Sequence, residues 1–200
     1  MRGNPIPKDV LEKWYIRKKK SSREIAALLS CSEHKVNYWL EKCSVRKRSI
    51  SDAIYLQKNP HGDPFAYREP RTEKEWLHFG LGLGLYWGEG TKKNRHAVRL
   101  GNTNPALIKQ FVGFLKQFYS VRKDKFRFGL QVFSDMKPSE ALRFWSTHLG
   151  VPKSAFGKVA VTPARSIGTY REKTKHGVLT VYVSNKKLRD ELCQRIEMLR

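Results

Sequence analysis

The run Phe79-Gly-Leu-Gly-Leu-Gly-Leu-Tyr-Trp-Gly-Glu-Gly90 constrains the fold more than any other stretch of this chain. It reads as an apolar helix in which Gly80, Gly84 and Gly88 recur every fourth residue and so share one face. A glycine inside a helix costs about 1 kcal/mol relative to alanine. Three on one face imply a use, the close approach of a second helix backbone. One carboxylate, Glu89, comes directly after them. Two readings stay open: Glu89 lies near the axis between two packed units, or the run is a core helix whose Gly-Glu-Gly end leaves Glu89 solvated.

Charge restricts the partners. The 200 residues carry a formal charge of +22 at pH 7. Lys and Arg outnumber Asp and Glu by 14 to 6 in residues 1–58, and by 26 to 12 in the remainder. Both parts are basic, which points to a polyanion. With 40% hydrophobic residues, the chain can pack a core or two small ones. Cys31, Cys43 and Cys193 form no CxxC pair, and Cys31-x-x-His34 has no second pair to complete a zinc site. No apolar run is long enough to span a membrane, and free thiols fit a reducing cytosol, so the expected location is cytoplasmic, at the nucleoid.

Turn signals divide the chain into a helical unit at 1–58, a linker at 59–72 and a larger unit at 73–200. In the first, Val10, Leu11, Trp14 and Tyr15 form a helical stripe. Ser21 and Glu24 make a capping box for a helix over 23–29, and Ser32 caps another over 33–40. Residues 50–56 predict a further turn or two. In the larger unit, helices are expected over 73–87, 105–119, 138–149 and 186–199. Strands are expected over 96–102, 126–133, 158–162 and 178–184, with His176-Gly177 in a hairpin turn.

The strands alternate. Phe126, Phe128, Leu130 and Val132 share one face, against Lys125, Arg127, Gly129 and Gln131. Leu179, Val181 and Val183 oppose Thr180 and Tyr182, and Val159 and Val161 oppose Lys158, Ala160 and Thr162. The expected fold class is therefore α+β: a helical bundle beside a mixed sheet with one apolar face under helices and one open, partly basic face. That open face reads equally as solvated surface or as a platform for nucleic acid.

Ser22-Arg-Glu-Ile-Ala-Ala-Leu-Leu-Ser-Cys-Ser-Glu-His-Lys-Val-Asn-Tyr-Trp-Leu40 resembles the helix-turn-helix of resolvases and bacterial regulators. Ala26 stands where the two helices cross and Val36 at the apolar anchor; Ser30 replaces the usual turn glycine. The resemblance implies that the second helix enters a major groove, with Ser32, His34, Lys35, Asn37 and Tyr38 facing DNA. Asn37 suits adenine, and Lys35 suits guanine or phosphate. Arg46, Lys47 and Arg48 would bind backbone or a minor groove. A helical bundle that contacts protein is the alternative.

Gly84-Leu-Tyr-Trp-Gly-Glu-Gly90 resembles the signature helix of the LAGLIDADG homing endonucleases, and Asn102-Thr-Asn-Pro-Ala-Leu-Ile108 resembles that family's strand-to-helix junction. The chain is also similar to small prokaryotic proteins that join a helix-turn-helix to one such domain. The resemblance implies a saddle-shaped sheet over double-stranded DNA, with signature helices packed in pairs through Gly80, Gly84 and Gly88. It implies Glu89 as the acid that binds Mg²⁺ for phosphodiester hydrolysis. One motif per chain implies a homodimer, and the alternative is a monomeric pseudo-dimer in which residues 138–149 and the strands after them are a worn second repeat. Lys158 and Gln131 are its candidates for the basic and water-positioning residues. Lys92, Lys93 and Arg95 in the loop after Glu89, with Arg99, Lys125, Arg127, Gln131 and Lys158, would line the DNA. Trp87 departs from the family pattern. The alternative is a transcription regulator on the same fold that binds without cutting.

Overall fold

The computed structural model describes residues 4–164 and 174–199. The fold is α+β. The chain divides into two compact units at Pro64–Phe65. The boundary lies inside the expected 59–72 linker, because residues 65–72 are structured as part of the second unit. Ala66 and Arg68 donate backbone hydrogen bonds to the carbonyls of Tyr119 and Phe118. The Arg68 guanidinium grips Glu75 with both nitrogens, at 3.2 and 2.7 Å.

In the first unit, α1 (Lys8–Leu11) runs directly into a π-helical stretch, Glu12–Arg17, where Lys18 N–H reaches the Lys13 carbonyl at 2.9 Å. Next come α2 (Ser22–Leu28), α3 (Glu33–Lys42) and α4 (Ile50–Lys58). The Ser21–Glu24 capping box forms in full at the start of α2, and Ser32 Oγ caps α3 through Lys35 N–H. Leu11, Tyr15, Ile25, Ala26, Val36 and Leu40 close a small core. Helix α4 buries none of its residues.

The second unit runs α5 (Glu73–Glu89), β1 (Val98–Asn102), α6 (Pro105–Tyr119), β2 (Phe126–Phe133), α7 (Pro138–Leu149), β3 (Ala160–Thr162), β4 (Val178–Val183) and α8 (Lys186–Glu197). The strand order is β1-β4-β2-β3. β4 pairs antiparallel with β1 and β2; β3 pairs parallel with β2 at the edge. The expected alternation holds in burial. Leu100, Phe128, Leu130, Val132, Leu179 and Val181 lie under α6, α7 and α8, packed on Phe111, Phe114, Trp145, Leu188 and Leu192. Asn104 caps α6 by accepting from Ala106 and Leu107 N–H.

Three local expectations change. β3 begins at Ala160, so Lys158 stands in the preceding loop, outside the sheet. Val161, on the edge strand β3, is 55% exposed. The His176-Gly177 turn closes no hairpin between β3 and β4, since among the described residues β4 pairs with β1 and β2. It leads into β4: Gly177 adopts φ +73°, and the His176 carbonyl accepts from Trp145 Nε1 at 2.8 Å. No helix among the described residues is long and apolar enough to cross a membrane.

Candidate nucleic-acid interface

Helix α5 has two unlike faces. Phe79, Leu83 and Tyr86 are buried against the core, and there Gly82 lies against α6. A Cβ added at Gly82 would overlap the Phe114 ring. The close helix–helix approach within the chain is thus made by Gly82. Gly80, Gly84 and Gly88 face outward, and a Cβ at any of them would meet nothing within 4 Å. Around them stand Trp76, Leu77, Leu81 and Trp87, 51%, 76%, 47% and 42% exposed. At about 100° per residue these seven positions fill one continuous arc of roughly 140°, with the glycines along its middle. No charged residue interrupts the arc after the first turn.

Glu89 is the last residue of α5 and is exposed. It lies about 100° around the helix from Gly88 and about 80° beyond the edge of the arc, so it closes the helix off the apolar stripe, on the side nearer Gly82. The loop after the helix fixes its position. Gly90 sits so close to the Tyr86 ring and carbonyl that a Cβ there would overlap both. Gly90 bridges Leu100, and Thr91 N–H bonds to the Arg99 carbonyl at 2.9 Å, which ties the helix end to β1. Lys92 Nζ donates to the Trp87 carbonyl, and Arg189 of α8 donates to the Lys92 carbonyl at 2.6 Å. Lys93 and Arg95 are exposed on the same loop.

The structure does not assemble the expected catalytic set in one chain. Glu89 is tied to β1, whereas Gln131 is on β2, two strands across and three residues along from the register of Leu100. Strand spacing and rise place their backbones on the order of 10 Å or more apart. Gln131 Nε2 donates to Thr162 Oγ1 at 2.9 Å. Lys158 is exposed but off the sheet. Among the described residues no three His, Cys, Asp or Glu side chains gather into a metal site. Mg²⁺ commonly takes one or two carboxylates plus substrate phosphates and water. Glu89 could supply no more than one of these carboxylates.

The open face of the sheet is ordered in rows. Arg99, Tyr182 and Arg127 lie in register across β1, β4 and β2. The Arg99 guanidinium is 5.7 Å from the Tyr182 ring centre. The next row is Gly101, Thr180 and Gly129, almost bare of side chains. Arg99 and Arg127 are exposed; Arg127 also donates to the Asp124 and Phe126 carbonyls at 2.7 and 2.8 Å. Lys125 ends the short 3-10 turn before β2 and is exposed there, just off the strand.

In the first unit, Ser30 adopts φ +49°, the left-handed conformation for which glycine is usual. Cys31 N–H then reaches the Ala26 carbonyl at 2.9 Å and closes α2. His34 and Tyr38 are exposed on α3, and Lys35 is half-buried. Asn37 Oδ1 accepts from Ser22 Oγ at 3.0 Å, which pins α3 to α2 and occupies the atom that would accept from adenine. The Ser32 hydroxyl is engaged in the cap. Arg46 is exposed, and Lys47 lies 3.7 Å from Glu41. Arg48 has a different task from the expected one. Its guanidinium donates to the Lys19 and Lys20 carbonyls and stacks 4.1 Å from the Tyr15 ring centre, and its N–H bonds to Tyr15 Oη at 2.9 Å. A groove of about 850 Å³ beside it is lined by Lys18, Lys20 and Arg23.

No protein-family model, curated protein or solved structure matches this chain. The geometry stands by itself. Sequence reasoning missed Gly82, whose spacing differs from the glycine stripe by two residues, and Tyr182, which the β4 alternation had already placed on the open face. Ser22 and Arg189 carried no local signal, because each acts through a contact distant in sequence.

Proposed function

We propose that this protein binds double-stranded DNA through two modules, a helix-turn-helix and a LAGLIDADG-like domain, and that it acts as a Mg²⁺-dependent site-specific endonuclease when paired through α5. The observation that carries this reading is the outward apolar arc of α5, glycine-lined, on a helix whose last residue is an exposed carboxylate. An exposed helix face of that kind is costly in water and suits a second copy. Pairing supplies two Glu89 carboxylates, one for each DNA strand. A divalent ion held there would activate water and stabilise the leaving oxygen. Arg99 and Arg127 on the open sheet face suit phosphates, as do Lys93, Arg95 and Arg46. Within the helix-turn-helix, Lys35, His34 and Tyr38 are the side chains available to a groove.

A second reading, a regulator that binds without cutting, is favoured by the separation of Glu89 from Gln131 and Lys158 and by the Lys92 ammonium docked beside the helix end. One experiment divides the two. Purified protein is incubated with a plasmid library carrying its own genomic flanks, in Mg²⁺ or EDTA, and break positions are mapped. Position-specific, metal-dependent breaks that vanish in Glu89→Gln while binding persists support the nuclease. Salt-sensitive binding without breaks supports the regulator, and absence of binding removes both.

A further inference from the structure

We infer that the open sheet face holds a single unpaired DNA base against the ring of Tyr182. The inference deepens the DNA-binding reading and rests on it, but it does not depend on cleavage by Glu89.

Tyr182 lies on β4, an inner strand, and its side chain shares the open face with Thr180. Arg99 and Arg127 flank it in register on the two neighbouring strands. This cation–aromatic–cation row crosses three strands. Beside it, the Gly101–Thr180–Gly129 row leaves a low lane. A Cβ at Gly129 would meet nothing within 4 Å, so the lane is open space on the β2 side. Side chains two residues apart on a strand are separated by about 7 Å, enough for a flat ring to lie in the lane against Tyr182. Thr180 then stands under the edge of that ring, and flanking phosphates would meet Arg99 and those N–H groups of Arg127 that its Nη1 bonds to the Asp124 and Phe126 carbonyls leave over.

A paired duplex offers its grooves only base edges, because the ring faces are covered by stacking. An aromatic ring with an open lane beside it is useful to a base whose face is free, and every base has such a face. The flanking arginines select a polyanion over an apolar peptide. The occupant is therefore an unpaired nucleotide, in a single strand or extruded from a duplex.

The test uses the full chain and three labelled DNA probes in fluorescence anisotropy at fixed salt: a paired duplex, the same duplex with one unpaired thymidine, and an oligothymidylate. A single-stranded RNA of matching length is the fourth arm. The expected result is that Tyr182→Ala weakens binding to the bulged and single-stranded DNA by about tenfold or more, while Tyr182→Phe stays close to wild type and the paired duplex is little affected. Equal affinity of wild type and Tyr182→Ala for oligothymidylate overturns the inference, as does tighter binding of the RNA. If wild type binds no DNA at all, the parent reading falls with it. Should Tyr182→Ala fail to fold, photocrosslinking of wild type to 5-iododeoxyuridine oligonucleotide decides: an adduct on Tyr182 supports the inference, and adducts only elsewhere overturn it.

Discussion

Arg48 and Lys35 are both basic residues of the first unit, and they do opposite work. Arg48 satisfies two backbone carbonyls where Lys19, at φ +55°, turns the chain after the first helix, and it covers the Tyr15 ring. Arg48→Ala leaves those carbonyls and the ring without their partner. It should lower the unfolding free energy by about 1–3 kcal/mol in urea melts, with Arg48→Lys intermediate because an ammonium cannot serve both carbonyls in a plane. Lys35 makes no comparable bond through its ammonium; only its backbone N–H is used, by the Ser32 cap. Lys35→Ala should leave the melt nearly unchanged, weaken duplex binding and, if Lys35 meets a phosphate, reduce the slope of log affinity against log salt by about 1. Unchanged affinity would remove α3 from the DNA interface.

The glycines of α5 separate the packed face of a helix from its open one. Gly82→Ala forces a methyl into the Phe114 ring and should destabilise the second unit by about 1–3 kcal/mol, as overpacking does. Gly84→Ala adds a methyl into open space and should favour the isolated helix by about 1 kcal/mol. The same position tests pairing. Gly84→Leu should shift the sedimentation mass from dimer to monomer with the fold retained in circular dichroism. A mass unchanged from wild type would show that the glycine arc is not the contact.

Taken as one chain, the protein ties both of its units with carboxylates that are held ionised. In the second unit the Arg68 guanidinium holds Glu75 down to about 2, helped by the Arg71 N–H; in the first, Lys20 and the Ser21 backbone hold Glu24 down to about 2. A carboxyl near 4.5 when unfolded and near 2 when folded binds fewer protons in the native state. Its stabilising contribution is thus complete above about pH 4.5 and fades as pH falls toward 2. Urea midpoints measured from pH 6 to pH 2.5 should fall for wild type, and should fall less steeply for Glu75→Gln, which lacks the group that titrates. A parallel fall in both proteins would assign the acid sensitivity elsewhere. At the other end of the range, burial pushes the Tyr86 phenol up to about 12.

Much of the architecture was legible along the chain because it depends on neighbours. Helical stripes and the alternation of β2 and β4 follow from periods of 3.6 and 2, and the Ser21–Glu24 box from two residue types three apart, and each appears where that spacing places it. The α+β class, the basic character and the outward glycine stripe belong to the same group. What the periods cannot carry is partnership between distant residues. Lys158 alternates correctly with Val159, yet it has no strand to sit on, because β3 pairs with β2 only from Ala160 onward. Arg48 reads as one of three equivalent cations until the chain returns it to the carbonyls of Lys19 and Lys20. Asn37 reads as a base reader until Ser22 meets it across the helix crossing. The row of Arg99, Tyr182 and Arg127 exists only through the register of three strands, which brings Tyr182 beside residues 83 and 55 positions before it. Local periodicity decides which residues face in or out; the tertiary fold decides which of them meet, because a hydrogen bond or a stacked ring is made in space and leaves no period in the chain.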